Sequence, residues 1–236
     1  MSVILERAAK NMERIEPKLR ADVDSKPISA LLRRDTWADH ERAQYSPFEM
    51  ALAMGTISVE GHGALMAQVY PVYKALEERI ATLADDPIVG QFHIDELNRV
   101  PFIEADLAFY YGDDWRDKIE SFPTTDEYVE RIMTVDTTGF VAHHYTRYMA
   151  DLSGGLMIVA ALKKSWGEDH GGLTYYDFSS VGDSVGFKNA YRQALDELPL
   201  DADGKVALVS EVMVAYEMNI EMASILEQQY LEPASA

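Results

Sequence analysis

The 236-residue sequence predicts an all-α protein with a single domain of about eight helices. Long segments repeat apolar residues three and four positions apart, which is the spacing of an amphipathic helix. Only 9 prolines and 14 glycines interrupt them, and no segment shows the alternation of a half-buried strand. A hydrophobic fraction of 47% over this length is sufficient for one large core.

The first predicted helix lies in residues 1–24 and ends near Pro17. We interpret this segment as an N-terminal extension that precedes a main domain over residues 25–232. The next helix begins with Ser25 as a candidate N-cap, has a proline in its first turn, and runs to about Gln44. Start signals and helical spacing predict further helices over residues 46–54, 58–83, 95–111, 125–133, 137–166, 183–198 and 201–230.

Composition narrows the classes of function. The chain has no cysteine, which excludes disulfides, thiolate metal sites and a cysteine nucleophile. Its net charge of −19 disfavours binding to nucleic acids and to anionic membranes. Residues 1–10 lack the apolar core of a signal peptide, and no run approaches the roughly 20 apolar residues of a membrane span. We therefore expect a soluble, intracellular monomer with no nucleic-acid or membrane partner.

Residues 141–155 are the most informative segment of the chain. Asp151 is followed by Gly154 and Gly155, although a glycine costs about 1 kcal/mol against alanine in a helix interior. Such a pair predicts a backbone that lies close to something flat or bulky. An acid beside that backbone can supply protons through one water molecule without touching the reacting atom.

The histidines give one candidate metal ligand. His40 is either a solvated helical side chain or an axial iron ligand through a neutral imidazole nitrogen. A ligand of that kind needs a hydrogen-bond acceptor to fix its tautomer, and Gln44 lies one helical turn further on. His143 and His144 precede Asp151 by about two turns, and we interpret them as packing or surface residues.

Basic residues are informative because only 21 stand against 40 acids. Lys188 and Arg192 lie four positions apart and point to one side of their predicted helix. Arg33 precedes His40 by two turns on the same predicted helix. Each alone is typical of a solvated surface, with Asp196 as a helical partner for Arg192. Together these cations could bind the carboxylates of a ligand held at His40.

In residue types and order, the chain resembles the heme oxygenase family over residues 25–231. Six segments carry the resemblance: 39–43, 73–78, 92–99, 106–112, 141–155 and 187–192. A terminal helix with Asn219 has its counterpart too. Six ordered matches are far more specific than any one motif.

The resemblance implies a heme between two helices, with His40 as the proximal iron ligand and the backbone of Gly154 facing the ring. The residues that match propionate-binding positions are Arg33, Tyr145, Lys188 and Arg192. The residues that match the distal network are Asp151, Tyr73 and Arg147. Asp151 is the acid of that network.

The implied reaction opens heme b, which is both substrate and cofactor, to biliverdin, carbon monoxide and ferrous iron, and it consumes O2 and electrons. A ferredoxin, a flavodoxin or an NADPH-dependent reductase could supply the electrons. A basic docking patch for such a donor is predicted from Lys163, Lys164, Arg147, Lys188 and Arg192. We expect the protein in the cytoplasm, or in the plastid stroma if its source is phototrophic.

Two residues depart from the family pattern. Gln44 stands where an acid is usual, which predicts a raised iron potential because a neutral amide weakens imidazolate character. Ala150 stands where a glycine is usual, so one methyl group is predicted to crowd the distal side and to slow the reaction.

Three other functions stay open from the residues alone. A heme-storage or trafficking protein of the same fold would need His40 and the basic residues but not Asp151. A di-iron carboxylate oxidase needs an acid three residues before a histidine, which none of the six histidines has. A cofactor-free or thiamin-related enzyme of similar fold would lack the basic residues.

Overall fold

The all-α prediction is confirmed by the computed structural model, which describes residues 2–231 and contains no strand within that range. The α-helices are α1 (Val3–Asp22), α2 (Ile28–Asp35), α3 (Trp37–Gln44), α4 (Pro47–Met54), α5 (Val59–Thr82), α6 (Val100–Tyr111), α7 (Pro123–Thr134), α8 (Thr137–Trp166), α9 (Ser184–Asp196) and α10 (Ala202–Tyr230). The predicted domain end at residue 232 lies outside the described residues, and the boundary between residues 24 and 25 stays a prediction.

Helix starts follow the capping residues of the sequence. The Ser58 hydroxyl accepts a hydrogen bond from the backbone N–H of Gly61 at 3.0 Å, and the Asp201 carboxylate accepts one from Gly204 at 2.8 Å. Each bond satisfies one of the N–H groups that a first helical turn leaves without a partner. The predicted starts of α4, α5, α9 and α10 are therefore confirmed to within one residue.

The prediction of one helix from Ser25 to Gln44 is wrong, because the helix is interrupted at Thr36. The backbone of Thr36 has φ −104° and ψ 8°, and its hydroxyl donates to the carbonyl oxygen of Leu32 at 2.8 Å. A threonine hydroxyl that bonds back to the preceding turn competes with helix continuation. Arg33 and His40 consequently lie on two helices, α2 and α3, and not on one face of a single helix.

Two further boundaries differ from prediction. Helix α1 continues through Pro17 to Asp22, because a proline removes only one hydrogen bond while the helix packs along α10. Helix α6 begins at Val100, and the preceding residues Asp95–Leu97 form a separate 3₁₀ turn.

The core lies between α5, α8 and α10, which are the longest apolar helices. Helix α10 packs along both α8 and α1, and α4 packs along α8. Helix α1 contributes buried side chains to the same core, namely Ile4, Ala8, Met12 and Leu19. Within residues 2–231, none of the helices combines the length and the apolar character that crossing a membrane requires.

Candidate functional site

Asp151 on α8 is the centre of a hydrogen-bonded cluster. Its Oδ2 accepts from the Tyr175 hydroxyl at 2.6 Å and from the Tyr73 hydroxyl, and Arg147 Nη2 lies 3.6 Å from the same oxygen. Burial raises the pKa of Asp151 to about 8, the bond from Tyr175 lowers it, and the negative charge of Glu49 raises it. The structure therefore brings Tyr73, Arg147 and Asp151 together, although they come from two helices.

Arg147 connects this cluster to α10. Its Nη1 donates to Asn219 Oδ1 at 2.6 Å, and its Nη2 donates to the Tyr175 hydroxyl at 2.9 Å. Asn219 in turn donates to the Tyr128 hydroxyl at 3.2 Å. Only 13% of the Arg147 side chain is exposed, so its inclusion in a surface docking patch is wrong. Its guanidinium faces inward and lies 3.6 Å from the acid of its own helix.

Tyr175 is the member of the cluster that the sequence did not indicate. It lies on the 3₁₀ turn Thr174–Tyr176, which the buried carboxylate of Asp106 holds in place. That carboxylate accepts from the N–H groups of Thr174 at 2.9 Å and Tyr175 at 2.8 Å. Asp106 and Tyr175 are 69 positions apart in the sequence, so no local spacing indicates their contact. Only the adjacent tyrosines of the turn could have suggested a site.

The two glycines of residues 141–155 have different surroundings. A Cβ added at Gly155 would lie 3.2 Å from the ring of Tyr176, so this glycine lets the 3₁₀ turn pack against α8. A Cβ added at Gly154 meets no atom within 4 Å, and Ala150, one turn earlier, is exposed on the same side. The predicted close approach is thus made by an aromatic ring at Gly155. Helix α8 stays continuous through both glycines.

His40 lies half-buried on the short helix α3. Its ring stacks on Trp37 with centroids 5.1 Å apart, and it lies perpendicular to the ring of Tyr216 with centroids 6.2 Å apart. Burial lowers the pKa of His40, which favours the neutral imidazole that binds iron. Its Nδ1 is buried without a hydrogen-bond partner among the described residues. The predicted acceptor Gln44 is exposed and makes no hydrogen bond to it, so that prediction is wrong.

Tyr145 is half-buried on α8. Burial raises its pKa, and the positive charge of Arg192 lowers it. Burial also raises the pKa of Tyr216, and Tyr145 adds to that rise. Tyr216 is the residue whose ring faces His40. The ring of Tyr145 itself lies near Tyr191 of α9, with centroids 6.4 Å apart.

The other predicted cations lie at the surface. Lys188 is half-buried, and exposed Arg192 donates to Asn189 at 3.2 Å. Asp196 does not pair with Arg192, because its carboxylate accepts from the N–H and the hydroxyl of Ser29 at 2.7 and 2.8 Å. Those two bonds instead attach α9 to α2. Exposed Arg33 lines a surface depression of about 390 Å³ together with Ala30, Arg34 and Trp37.

The adjacent His143 and His144 are buried packing residues. His143 Nε2 lies 2.9 Å from a carboxylate oxygen of Glu211, and His144 Nδ1 lies 2.8 Å from the Tyr191 hydroxyl. Burial lowers the pKa of His144 to about 3, so this side chain is neutral. Neither ring contacts Asp151.

Comparisons with known proteins identify the family of the chain. The family model for heme oxygenases matches residues 26–224. The chain is 35% identical to heme oxygenase 1 of the cyanobacterium Synechocystis over 203 residues, covering 85% of each sequence. It is 34% identical to heme oxygenase 1 of Rattus norvegicus over 215 residues, covering 87% of this chain and 73% of the rat protein.

Solved structures show the same relationship. The crystal structure of Synechocystis heme oxygenase-1 in complex with heme superposes with a TM-score of 0.82 at 33% identity, over 86% of this chain and 94% of that one. Heme oxygenase from Leptospira interrogans gives a TM-score of 0.80 at 26% identity, over 85% of this chain and 100% of that one. Sequence and fold agree over most of the chain, which therefore belongs to the heme oxygenase family.

Proposed function

We propose that this protein is a heme oxygenase that consumes O2 and external electrons to open heme to biliverdin, carbon monoxide and ferrous iron. Family membership supports the reaction, and the Asp151 cluster is the observation in this chain that carries it. A protein that only stores heme has no use for a buried acid held by a tyrosine hydroxyl at 2.6 Å and an arginine at 3.6 Å. An acid in that position can deliver protons through water.

Heme fits the residues that would hold it. His40 offers a neutral imidazole, which is the form that binds iron, and its buried Nδ1 has no partner among the described residues. Gly154 has open space where a side chain would stand, so a flat ring can approach the distal helix there. The proposed propionate-binding residues are Arg33, Tyr145, Lys188 and Arg192. When heme is bound, its iron supplies the activation of O2.

Each residue of the distal cluster has a proposed task. Asp151 organises water on the exposed side of α8 and transfers protons through it. Arg147 and Tyr73 keep its carboxyl group in one orientation, because both contact the same oxygen. The chain's own contribution is thus orientation and proton supply at a fixed position.

An external protein supplies the electrons in this proposal, and a ferredoxin, a flavodoxin or an NADPH-dependent reductase suits the requirement. The docking patch, revised to exclude the inward-facing Arg147, comprises Lys163, Lys164, Lys188 and Arg192. Charge reversal at Lys163 and Lys164 should slow reduction and leave heme affinity unchanged. We further propose a monomer that works in the cytoplasm or, in a phototroph, in the plastid stroma.

The purified protein mixed with hemin and a reductant under air tests the proposal. The Soret band should disappear while the absorption of biliverdin grows. Asp151→Asn should bind hemin as well as the wild type but form biliverdin about 100-fold more slowly or worse, which is the usual loss when a general acid is removed. A wild-type Soret band that persists in the presence of the reductant would instead support heme storage.

A further inference from the structure

The Tyr175 hydroxyl makes contact with every other member of the distal cluster. It donates to Asp151 Oδ2 at 2.6 Å, accepts from Arg147 Nη2 at 2.9 Å, and lies 3.3 Å from the Tyr73 hydroxyl. Only 2% of Tyr175 is exposed. A phenol that both donates to the acid and accepts from the arginine fixes the two charged groups relative to each other.

The backbone of Tyr175 is held as firmly as its hydroxyl. The Asp106 carboxylate accepts from its N–H at 2.8 Å, and Nη1 of the fully buried Arg99 donates to its carbonyl oxygen at 3.5 Å. Asp106 lies within α6 and Arg99 is the N-cap residue of that helix, so neither belongs to α8. The backbone of Tyr175 is therefore held from the side of α6, while its hydroxyl contacts α8.

All contacts of the Asp151 carboxyl group converge on one oxygen. Oδ2 takes the bonds from Tyr73 and Tyr175 and the approach of Arg147, whereas Oδ1 accepts no hydrogen bond from the described residues. We propose that Tyr175 is a positioning residue for the reaction: it locks Asp151 through Oδ2 and so presents Oδ1 to water on the exposed side of α8. This inference rests on the proposed function, because it explains how the proposed proton donor, Asp151, is oriented.

The proposal has a consequence for the protonation of Asp151. The titratable and charged groups that face it are Tyr73 from α5, Arg147 from α8, Glu49 from α4, and Tyr175 and Tyr176 from the 3₁₀ turn. A hydrogen bond from Tyr175 stabilises the charged carboxylate and so lowers the pKa of Asp151, which still stands at about 8 because burial raises it more strongly. Loss of the hydroxyl should therefore raise that pKa, so that Asp151 keeps its proton to higher pH.

The test compares Tyr175→Phe with Tyr176→Phe in the protein without heme. The two residues are adjacent and buried, but the Tyr176 hydroxyl bonds to His62 at 3.0 Å and not to Asp151. Infrared spectra recorded against pH give the titration midpoint of Asp151, which is assigned by its loss in Asp151→Asn. The midpoint should rise by about 1 in Tyr175→Phe, the shift expected for one charge-assisted bond, and stay unchanged in Tyr176→Phe.

A second readout uses the protein with hemin. Tyr175→Phe should lower the rate of biliverdin formation with a shifted pH profile, while the dissociation constant for hemin stays that of the wild type. An Asp151 midpoint equal to the wild type in Tyr175→Phe overturns the inference. Should that variant fail to fold, Asp106→Asn, which keeps the phenol but releases its backbone, must raise the midpoint instead. Failure of the wild type to degrade heme would overturn the proposed function, and the titration without heme is independent of that result.

Discussion

Asp151 on the distal side and His40 on the proximal side are held in opposite ways. The acid has two tyrosine hydroxyls and an arginine on a single oxygen, and its helix α8 is 30 residues long. The histidine lies on an eight-residue helix, and its buried Nδ1 has no partner among the described residues. The distal side is therefore oriented by the protein alone, whereas the proximal side depends on its ligand to complete it.

The difference follows from the role that we propose for each group. A proton donor works from one position, so its orientation must be fixed before the reaction. A metal ligand gains its strongest interaction from the metal itself, so packing against Trp37 and Tyr216 is sufficient to place the ring.

His40→Ala should have the largest effect. Substitution of an outer-shell residue of a metal site costs about 10–100-fold, so loss of the ligand should lower biliverdin formation by at least roughly 100-fold. The change can be measured as the rate of Soret loss with hemin and a reductant. Added imidazole should restore part of that rate. The Asp151 titration should stay that of the wild type, and a shifted midpoint would contradict the separation of the two sides.

Arg147→Met should be the most destabilising change in the distal cluster. It removes donors to Asn219 and Tyr175 and leaves Asp151 without its cation, which should cost about 2–3 kcal/mol of unfolding free energy. Urea denaturation measures the loss. Arg192→Met is the matched control, because this arginine is exposed and should change stability by less than about 0.5 kcal/mol. Equal losses of unfolding free energy in the two variants would show that the hydrogen bonds of Arg147 do not stabilise the protein.

The sequence predicts the distal side better than the proximal side, and the reason is physical. Spacing on one continuous helix places Arg147 and Asp151 correctly, since α8 begins and ends at the predicted residues. The proximal prediction needed an unbroken helix, and one threonine hydroxyl bonded to Leu32 breaks it. The role of Tyr175 could not be predicted from the sequence, because a tertiary contact with Asp106 fixes its position.

Asn11→Ala should weaken the proximal side to a smaller extent. The Asn11 amide on α1 donates to Asp39 at 2.8 Å and to Glu217 at 3.0 Å, and both acids are buried. Asp39 adjoins His40, so loss of these bonds should reduce the unfolding free energy by about 1–2 kcal/mol and weaken hemin binding. Denaturant unfolding and hemin titration measure both. Lys10→Ala, an exposed change on the same helix, is the control.

The same contacts bear on the proposed N-terminal extension. Removal of residues 1–24 should destabilise the protein more than Asn11→Ala, because four side chains of α1 are buried in the core. A truncated protein that unfolds at the same urea concentration as the full chain would show that the segment is a detachable extension and that α1 does not support α3.

Gln44→Glu should have the smallest effect, and it tests whether the proximal side can be made to resemble the distal one. Gln44 is exposed and does not reach His40 Nδ1, so a carboxylate there acts on the imidazole mainly through its charge. A negative charge favours the oxidised iron and should lower the midpoint potential of bound heme. Potentiometric titration measures the shift.

Glu41→Gln is the matched comparison for that variant, because the charge of Glu41 already acts on His40 and is also exposed. Its removal should raise the potential by a similar small amount. A much larger change of the potential in Gln44→Glu would mean that the new carboxylate accepts a hydrogen bond from His40 Nδ1. His40 would then have a fixed partner, as Asp151 has in Tyr175. Equal potentials in Gln44→Glu and the wild type would contradict the prediction, because solvent would then screen the charge completely.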